Sequence, residues 1–163
     1  MVRCASQLSR GVPPAVRLDK SGMAETQVPS VVAMLVCDQI IAEQGTNKKS
    51  LIGIFEHLGS TSFPVQVGRI SVYAKLVDAL GKHHFRLRLV TLKDEKLIME
   101  IGIDADVKEG GGVELALNMG NLTLPEPGKY EFQLYAEDIY LHRVTMDAAL
   151  VQGGQGWLQQ PPR

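Results

Sequence analysis

Apolar and polar residues alternate along most of the middle of the chain. Ile70, Val72, Ala74 and Leu76 alternate with Arg69, Ser71, Tyr73 and Lys75. Phe85, Leu87 and Leu89 alternate with His84, Arg86 and Arg88. Leu97, Met99, Ile101, Ile103 and Ala105 form a third such series, and Tyr130, Phe132, Leu134 and Ala136 a fourth. A period of two belongs to strands with one buried face, whereas a helix needs its apolar residues three or four apart. Strands are expected near 31–41, 50–58, 69–79, 83–92, 96–106, 113–124, 129–137 and 140–150. About eight strands at such regular spacing predict an all-β, antiparallel sandwich with immunoglobulin-like or related layering.

The punctuation between these runs is that of turns. Leu80-Gly81-Lys82 and Lys93-Asp94-Glu95 have hairpin length, Gly110-Gly111-Gly112 is a flexible connection, and Pro125-Glu126-Pro127-Gly128 is a turn. Between Glu43 and Lys49 a polar loop joins two strands, with Gly45 and Asn47 suited to positive φ and Asp38 available to cap or to pair with Lys48 or Lys49. Val113, Leu115, Leu117 and Met119 keep one parity, while Leu122 and Leu124 take the other. That slip predicts a β-bulge near Gly120-Asn121. Segments 31–41 and 51–58 are apolar on both parities, so they are covered on both faces, by a loop, a tail or a second chain. Val90, Leu92 and Ile98 also break the outward polarity of their strands.

These patterns bound a domain at 29–151. Residues 1–28 have no hydrophobic period and read as a disordered extension. Met23 opens Met-Ala-Glu-Thr-Gln-Val-Pro, which looks like a native start, so residues 1–22 are either an upstream extension from start-codon choice or a flexible tail. Residues 152–163, with the single tryptophan Trp157, read as a second disordered tail.

Composition narrows the function classes. Lys+Arg is 17 and Asp+Glu is 18, a net charge of −1, which argues against a nucleic-acid binder. No stretch approaches the ~18 apolar residues of a membrane span, and Arg3, Arg10 and Arg17 flank no apolar run of a secretory signal. The 2 cysteines, Cys4 and Cys37, are no disulfide framework, and a cytoplasmic setting is expected.

Cys37-Asp38-Gln39-Ile40-Ile41, Gly45-Thr46-Asn47-Lys48-Lys49-Ser50-Leu51-Ile52-Gly53-Ile54-Phe55, Phe63-Pro64 and Pro127-Gly128-Lys129-Tyr130-Glu131-Phe132 resemble a bacterial family known only as a domain of unknown function. The resemblance spans roughly residues 30–150. It implies a small β-rich protein and transfers no catalytic residue.

Candidate chemistry is sparse. The 4 histidines are His57, His83, His84 and His142, and none has zinc-site spacing. His83 and His84 are adjacent in a strand and so face opposite ways. Asp104 and Asp106 share a face at a strand end and are the metal candidates, for calcium, which takes six to eight oxygens. A hydrolase site would have to be assembled from dispersed residues such as His142, Asp138 and Asp104. No Gly-x-Ser-x-Gly or phosphate-loop pattern is present, and no cofactor is implied. Arg86, Arg88, Tyr73 and Tyr135 fall on outward strand faces, and arginine with tyrosine suits an interface. With the loop residues Asn47 and Lys48 they are the candidate binding residues. The expectation is a non-catalytic binding or assembly module whose partner is a protein or a second copy of the chain, with no nucleic acid and no membrane.

Overall fold

The computed structural model describes residues 28–108 and 110–152. All but Val28 and Gln152 of the two expected tails, Cys4 and Trp157 included, lies outside them. Every regular element among the described residues is a strand: β1 (Ser30–Ala42), β2 (Lys49–Ile54), β3 (His57–Ser60), β4 (Val65–Val77), β5 (Gly81–Thr91), β6 (Leu97–Val107), β7 (Val113–Leu124), β8 (Gly128–Ala136) and β9 (Ile139–Leu150). They form a four-stranded sheet, β2-β1-β4-β7, and a five-stranded sheet, β3-β9-β8-β5-β6. The inner faces of the two sheets supply one core, so the chain is the antiparallel sandwich that the alternation predicts. β3 runs parallel to β9; the other pairs are antiparallel.

The core follows the period of two. Ile70, Val72, Ala74 and Leu76 from one sheet meet Phe85, Leu87, Leu89, Tyr130, Phe132 and Leu134 from the other, all buried. Tyr130 keeps its hydroxyl satisfied by donating to the Glu126 carbonyl at 2.6 Å, so a large aromatic is buried without an orphaned polar tip.

Four local expectations are corrected. The segment expected as one strand at 50–58 is two, β2 in one sheet and β3 in the other, because the chain crosses the sandwich between Ile54 and His57. Leu80-Gly81-Lys82 is no hairpin turn: β4 and β5 belong to different sheets, and β5 pairs with β6 and β8. The crossing is fixed by the buried Ala79, whose N–H donates to Gly111 O at 2.8 Å. The expected bulge at Gly120-Asn121 adds no residue. The β4–β7 register is the same on both sides, Arg69 opposite Gly120 and Val67 opposite Leu122. Both strands change face together there, with Asn121 at φ 55°. Finally, a register shift between Leu89 and Val90 leaves Ile98 as an extra residue of β6, so Leu97 points outward opposite Val90 and is exposed.

The doubly apolar opening strands are covered in part by a fold-over, while Val32, Ile41, Ile52 and Ile54 stay exposed. β1 leaves β4 after Cys37 opposite Ser71. Beyond that point the Asn118 side chain of β7 accepts from Ile40 N–H at 3.1 Å and donates to Ile40 O at 3.3 Å. Ser71 Oγ donates to Asn118 Oδ1 at 2.6 Å, with Asp38 O as the alternative acceptor at 3.3 Å. Past the hairpin loop, Lys49 Nζ reaches Glu114 of β7 at 3.1 Å. The β1–β2 hairpin therefore lies over the outer face of β4 and β7, and buries Cys37, Ser71 and Ile40.

Candidate functional site

The outer face of the five-stranded sheet carries the densest polar arrangement. Strand register builds it: Arg86 lies opposite Tyr135 of β8 and Gly102 of β6, Arg88 opposite Gln133 and Glu100, and Tyr135 opposite Tyr140 of β9. The guanidinium carbons of Arg86 and Arg88 both stand 5.8 Å from the centroid of the Tyr135 ring, within cation–π range. Tyr140 meets the same ring edge-on at 5.6 Å. A chain of polar side chains continues the face: Tyr135 Oη donates to Gln133, Gln133 Nε2 donates to Glu131, and Arg143 pairs with the buried Glu131 at 3.0 Å.

Each of the three arginines on this face has a carboxylate beside it. Arg86 donates to Asp138 Oδ1 at 2.7 Å and to Glu137 O at 2.9 Å. Arg88 Nε stands 3.2 Å from Glu100, but off the hydrogen-bonding axis, so its Nε, like that of Arg86, is buried without a hydrogen-bond acceptor. Arg86 is thus oriented by its Asp138 and Glu137 hydrogen bonds, and both guanidinium groups approach the Tyr135 ring.

At the neighbouring end, His84 Nδ1 and Asp104 Oδ1 are 2.6 Å apart. The ring lies flat over Gly102, where a Cβ would come within 3.1 Å of His84 Cε1. An open depression of about 440 Å³ surrounds the pair, with Asp106 and Glu137 on its rim. His83 faces the other way, buried beside Phe85 with ring centroids 5.6 Å apart, as adjacency in a strand requires.

The sequence candidates are thus divided. Arg86, Arg88 and Tyr135 come together. Tyr73 is on the other sheet, where its hydroxyl donates to Glu114 at 2.9 Å. Burial first, then this hydrogen bond, push the Tyr73 hydroxyl above the usual tyrosine value, while Lys49 and Tyr73 hold Glu114 below the usual glutamate value. Asn47 and Lys48 build the hairpin loop: Asn47, at φ 56°, donates through its N–H to Glu43 O at 3.0 Å. Lys49 takes Glu114, not Asp38. Asp104 and Asp106 share a face, but Asp104 takes His84, and Asp106 lies opposite Lys82. Among the described residues no three His, Cys, Asp or Glu side chains converge as metal ligands. His142, Asp138 and Asp104 form no cluster: Asp138 belongs to Arg86 and Asp104 to His84.

Gln133, Glu131, Tyr140, Arg143 and Glu100 escaped the sequence reading because their proximity depends on register. One signal was available for the histidine pair: a lone glycine inside a strand, Gly102, marks a close approach.

Among the described residues no helix is long and apolar enough to cross a membrane. None of the curated proteins matches the chain. Solved structures similar to it include an immunoglobulin-like protein (PA1606) from Pseudomonas aeruginosa, 12% identical, covering 77% of this chain and 100% of that one with a TM-score of 0.41. A β-glucosidase from Listeria innocua in complex with isofagomine is 11% identical and covers 58% of this chain but 15% of its own, with a TM-score of 0.38. Residues 32–149 match a family of unknown function (DUF6941), so this chain belongs to that family.

Proposed function

We propose that the chain is a non-catalytic binding module and that the outer face of its five-stranded sheet recognises a protein partner. The observation that carries the reading is the Tyr135 ring with Arg86 and Arg88 both at cation–π distance and Tyr140 at its edge. Aromatic residues and arginine supply most of the energy in protein interfaces, and here their rotamers are held before binding. A polyanion is a poor fit, because Arg86, Arg88, Arg143 and His84 already have acidic neighbours. A protein surface of mixed charge can exchange these pairs one for one. The fully buried Cys37, packed as a small hydrophobe, fits a cytoplasmic setting.

The test uses the full chain as bait in lysate of its native cell, followed by native mass spectrometry, alongside Tyr135→Ala and Arg88→Ala. A stoichiometric protein retained by the wild type and lost by Tyr135→Ala supports the reading. At a hot spot the expected loss is about 2 kcal/mol, roughly 30-fold in affinity. Equal retention by wild type and variants rejects this face. Recovery of a bound small molecule without any protein rejects the module.

A further inference from the structure

The five-stranded sheet ends on one side at β6, which pairs with β5 and with no other strand. The opposite edge is the four-residue β3, whereas β6 has 11 residues. Edge strands are commonly guarded by proline, lysine, inward-pointing charges or short length. From Met99 to Val107 β6 has none of these, and its acidic residues Glu100, Asp104 and Asp106 all share the outer face. The core also stops short along it. Phe85, Leu87 and Leu89 of β5 are buried, but Ile103, Ile101 and Met99 directly opposite them are only half-buried. We propose that β6 accepts an extended segment of a protein partner as one further antiparallel strand, with apolar residues on its inner side and basic residues on its outer side.

Charge selects this occupant over a second copy. β6 carries acids and no lysine or arginine, and each acid stands opposite a base of β5: Glu100 opposite Arg88, Asp104 opposite His84, Asp106 opposite Lys82. Asp104 and Asp106 stay exposed, so a cation on an added strand continues these rows on the free side. Two copies of β6 would do the reverse. Antiparallel registers that keep each residue on its own face, centred on Gly102, Ile103 or Asp104, set Glu100 against Asp104, Glu100 against Asp106, or Asp104 against itself. Gly102 adds a preference of shape. It leaves the row of Tyr140, Tyr135 and Arg86 without a side chain at the edge, and the His84 ring leans over it. An aromatic residue opposite Gly102 fills that gap against the imidazole. On the inner side, apolar residues opposite Ile101, Ile103 and Ala105 complete the burial of the half-open row. Main-chain hydrogen bonds then supply affinity and alternate side chains specificity. The simplest segment that meets Asp106 to Glu100 in antiparallel order is Lys-Val-Lys-Val-Phe-Val-Lys. The edge is independent of the Tyr135 face, because its free main-chain groups and its inner row belong to β6 alone.

Fluorescence anisotropy of that peptide, labelled at its N-terminus, titrated with the full chain tests this. Saturable binding is expected, weakened roughly tenfold when the peptide lysines are replaced by glutamate. Methylation of alternate peptide nitrogens should abolish binding in one phase and spare it in the other, since only one set of N–H groups faces β6. Asp106→Lys, with an unchanged circular dichroism spectrum, should weaken binding several-fold, and glutamate at the first position of the peptide should restore it. Tyr135→Ala should bind as the wild type does. With benzoylphenylalanine in place of the peptide phenylalanine, the photo-cross-link should fall within Met99–Ala105. Absence of binding, equal binding of the glutamate peptide, equal tolerance of both methylation phases, indifference to Asp106→Lys, loss in Tyr135→Ala, or cross-links on β2 or β7 would each overturn the proposal. Binding that appears only after removal of residues 1–27, or a β6–β6 dimer that the peptide leaves intact, would give the edge to another occupant and overturn it too.

Discussion

Gly53 sits at φ 64° inside the β1–β2 ladder, between the pairs Cys37–Ile54 and Gln39–Ile52. A Cβ there would lie 2.2 Å from Asp38 Oδ2 and 2.9 Å from its Cγ. Gly53→Ala therefore meets two costs, a left-handed backbone of about 1–2 kcal/mol and displacement of Asp38. Adding Asp38→Ala should recover the second and leave the first, as measured by urea denaturation of the single and double variants. Glu114 gives a pH signature. Its carboxyl is held below the ordinary value mainly by the Lys49 and Tyr73 hydrogen bonds. A lowered folded-state pKa contributes stability in full above the unfolded value, lost as pH falls through the folded one. The stability gap between wild type and Glu114→Gln should close as the solution is acidified below about pH 4, and an unchanged gap at lower pH would refute the assignment.

At the scale of elements, the hairpin is held down by Asn118 as if by one more strand. Its amide serves both main-chain groups of Ile40. Asn118→Ala leaves those groups without their partner and Ser71 with Asp38 O alone, at an expected cost of about 1–3 kcal/mol. Hydrogen exchange should then quicken along residues 38–53 and stay unchanged in β5 and β8, whose bonds do not involve it. The five-stranded sheet behaves differently. Its outer face needs no side chain to hold it in place, since ladder register alone sets Arg86, Tyr135 and Tyr140 in one row.

Across the whole molecule the stability rests on one core between the sheets. Phe132, fully buried at its centre, should cost about 3–5 kcal/mol on substitution by alanine, read as a lower denaturation midpoint in one cooperative transition. The Cys37 thiol reports on the same transition. Burial raises its pKa above the usual value, against a lowering by the Gln39 backbone hydrogen bond and with the Asp38 charge adding to the rise. In Cys4→Ser it should resist maleimide in the native state and react once denaturant unfolds the sandwich. Reaction at the native rate of a free thiol would show that the hairpin lifts off the sheet without global unfolding.

The period of two determined the sandwich and most of its core, because burial on one face of a pleated strand writes itself directly into side-chain order. Ile70 to Leu76, Phe85 to Leu89 and Tyr130 to Ala136 were legible in this way. Arg86, Arg88 and Tyr135 were legible as outward residues, and Gly45 and Asn47 as turn formers. Tertiary structure alone decided which strands pair. Tyr73 and Tyr135 look alike in sequence, yet they lie on different sheets because β4 pairs with β1 and β7, while β5 pairs with β6 and β8. Pairing is fixed by long-range packing of two faces, and alternation along a single strand carries no mark of its neighbour. For the same reason the fold-over of the opening hairpin appeared in sequence only as an excess of apolar residues. The side chain that holds it, Asn118, lies 78 residues away along the chain.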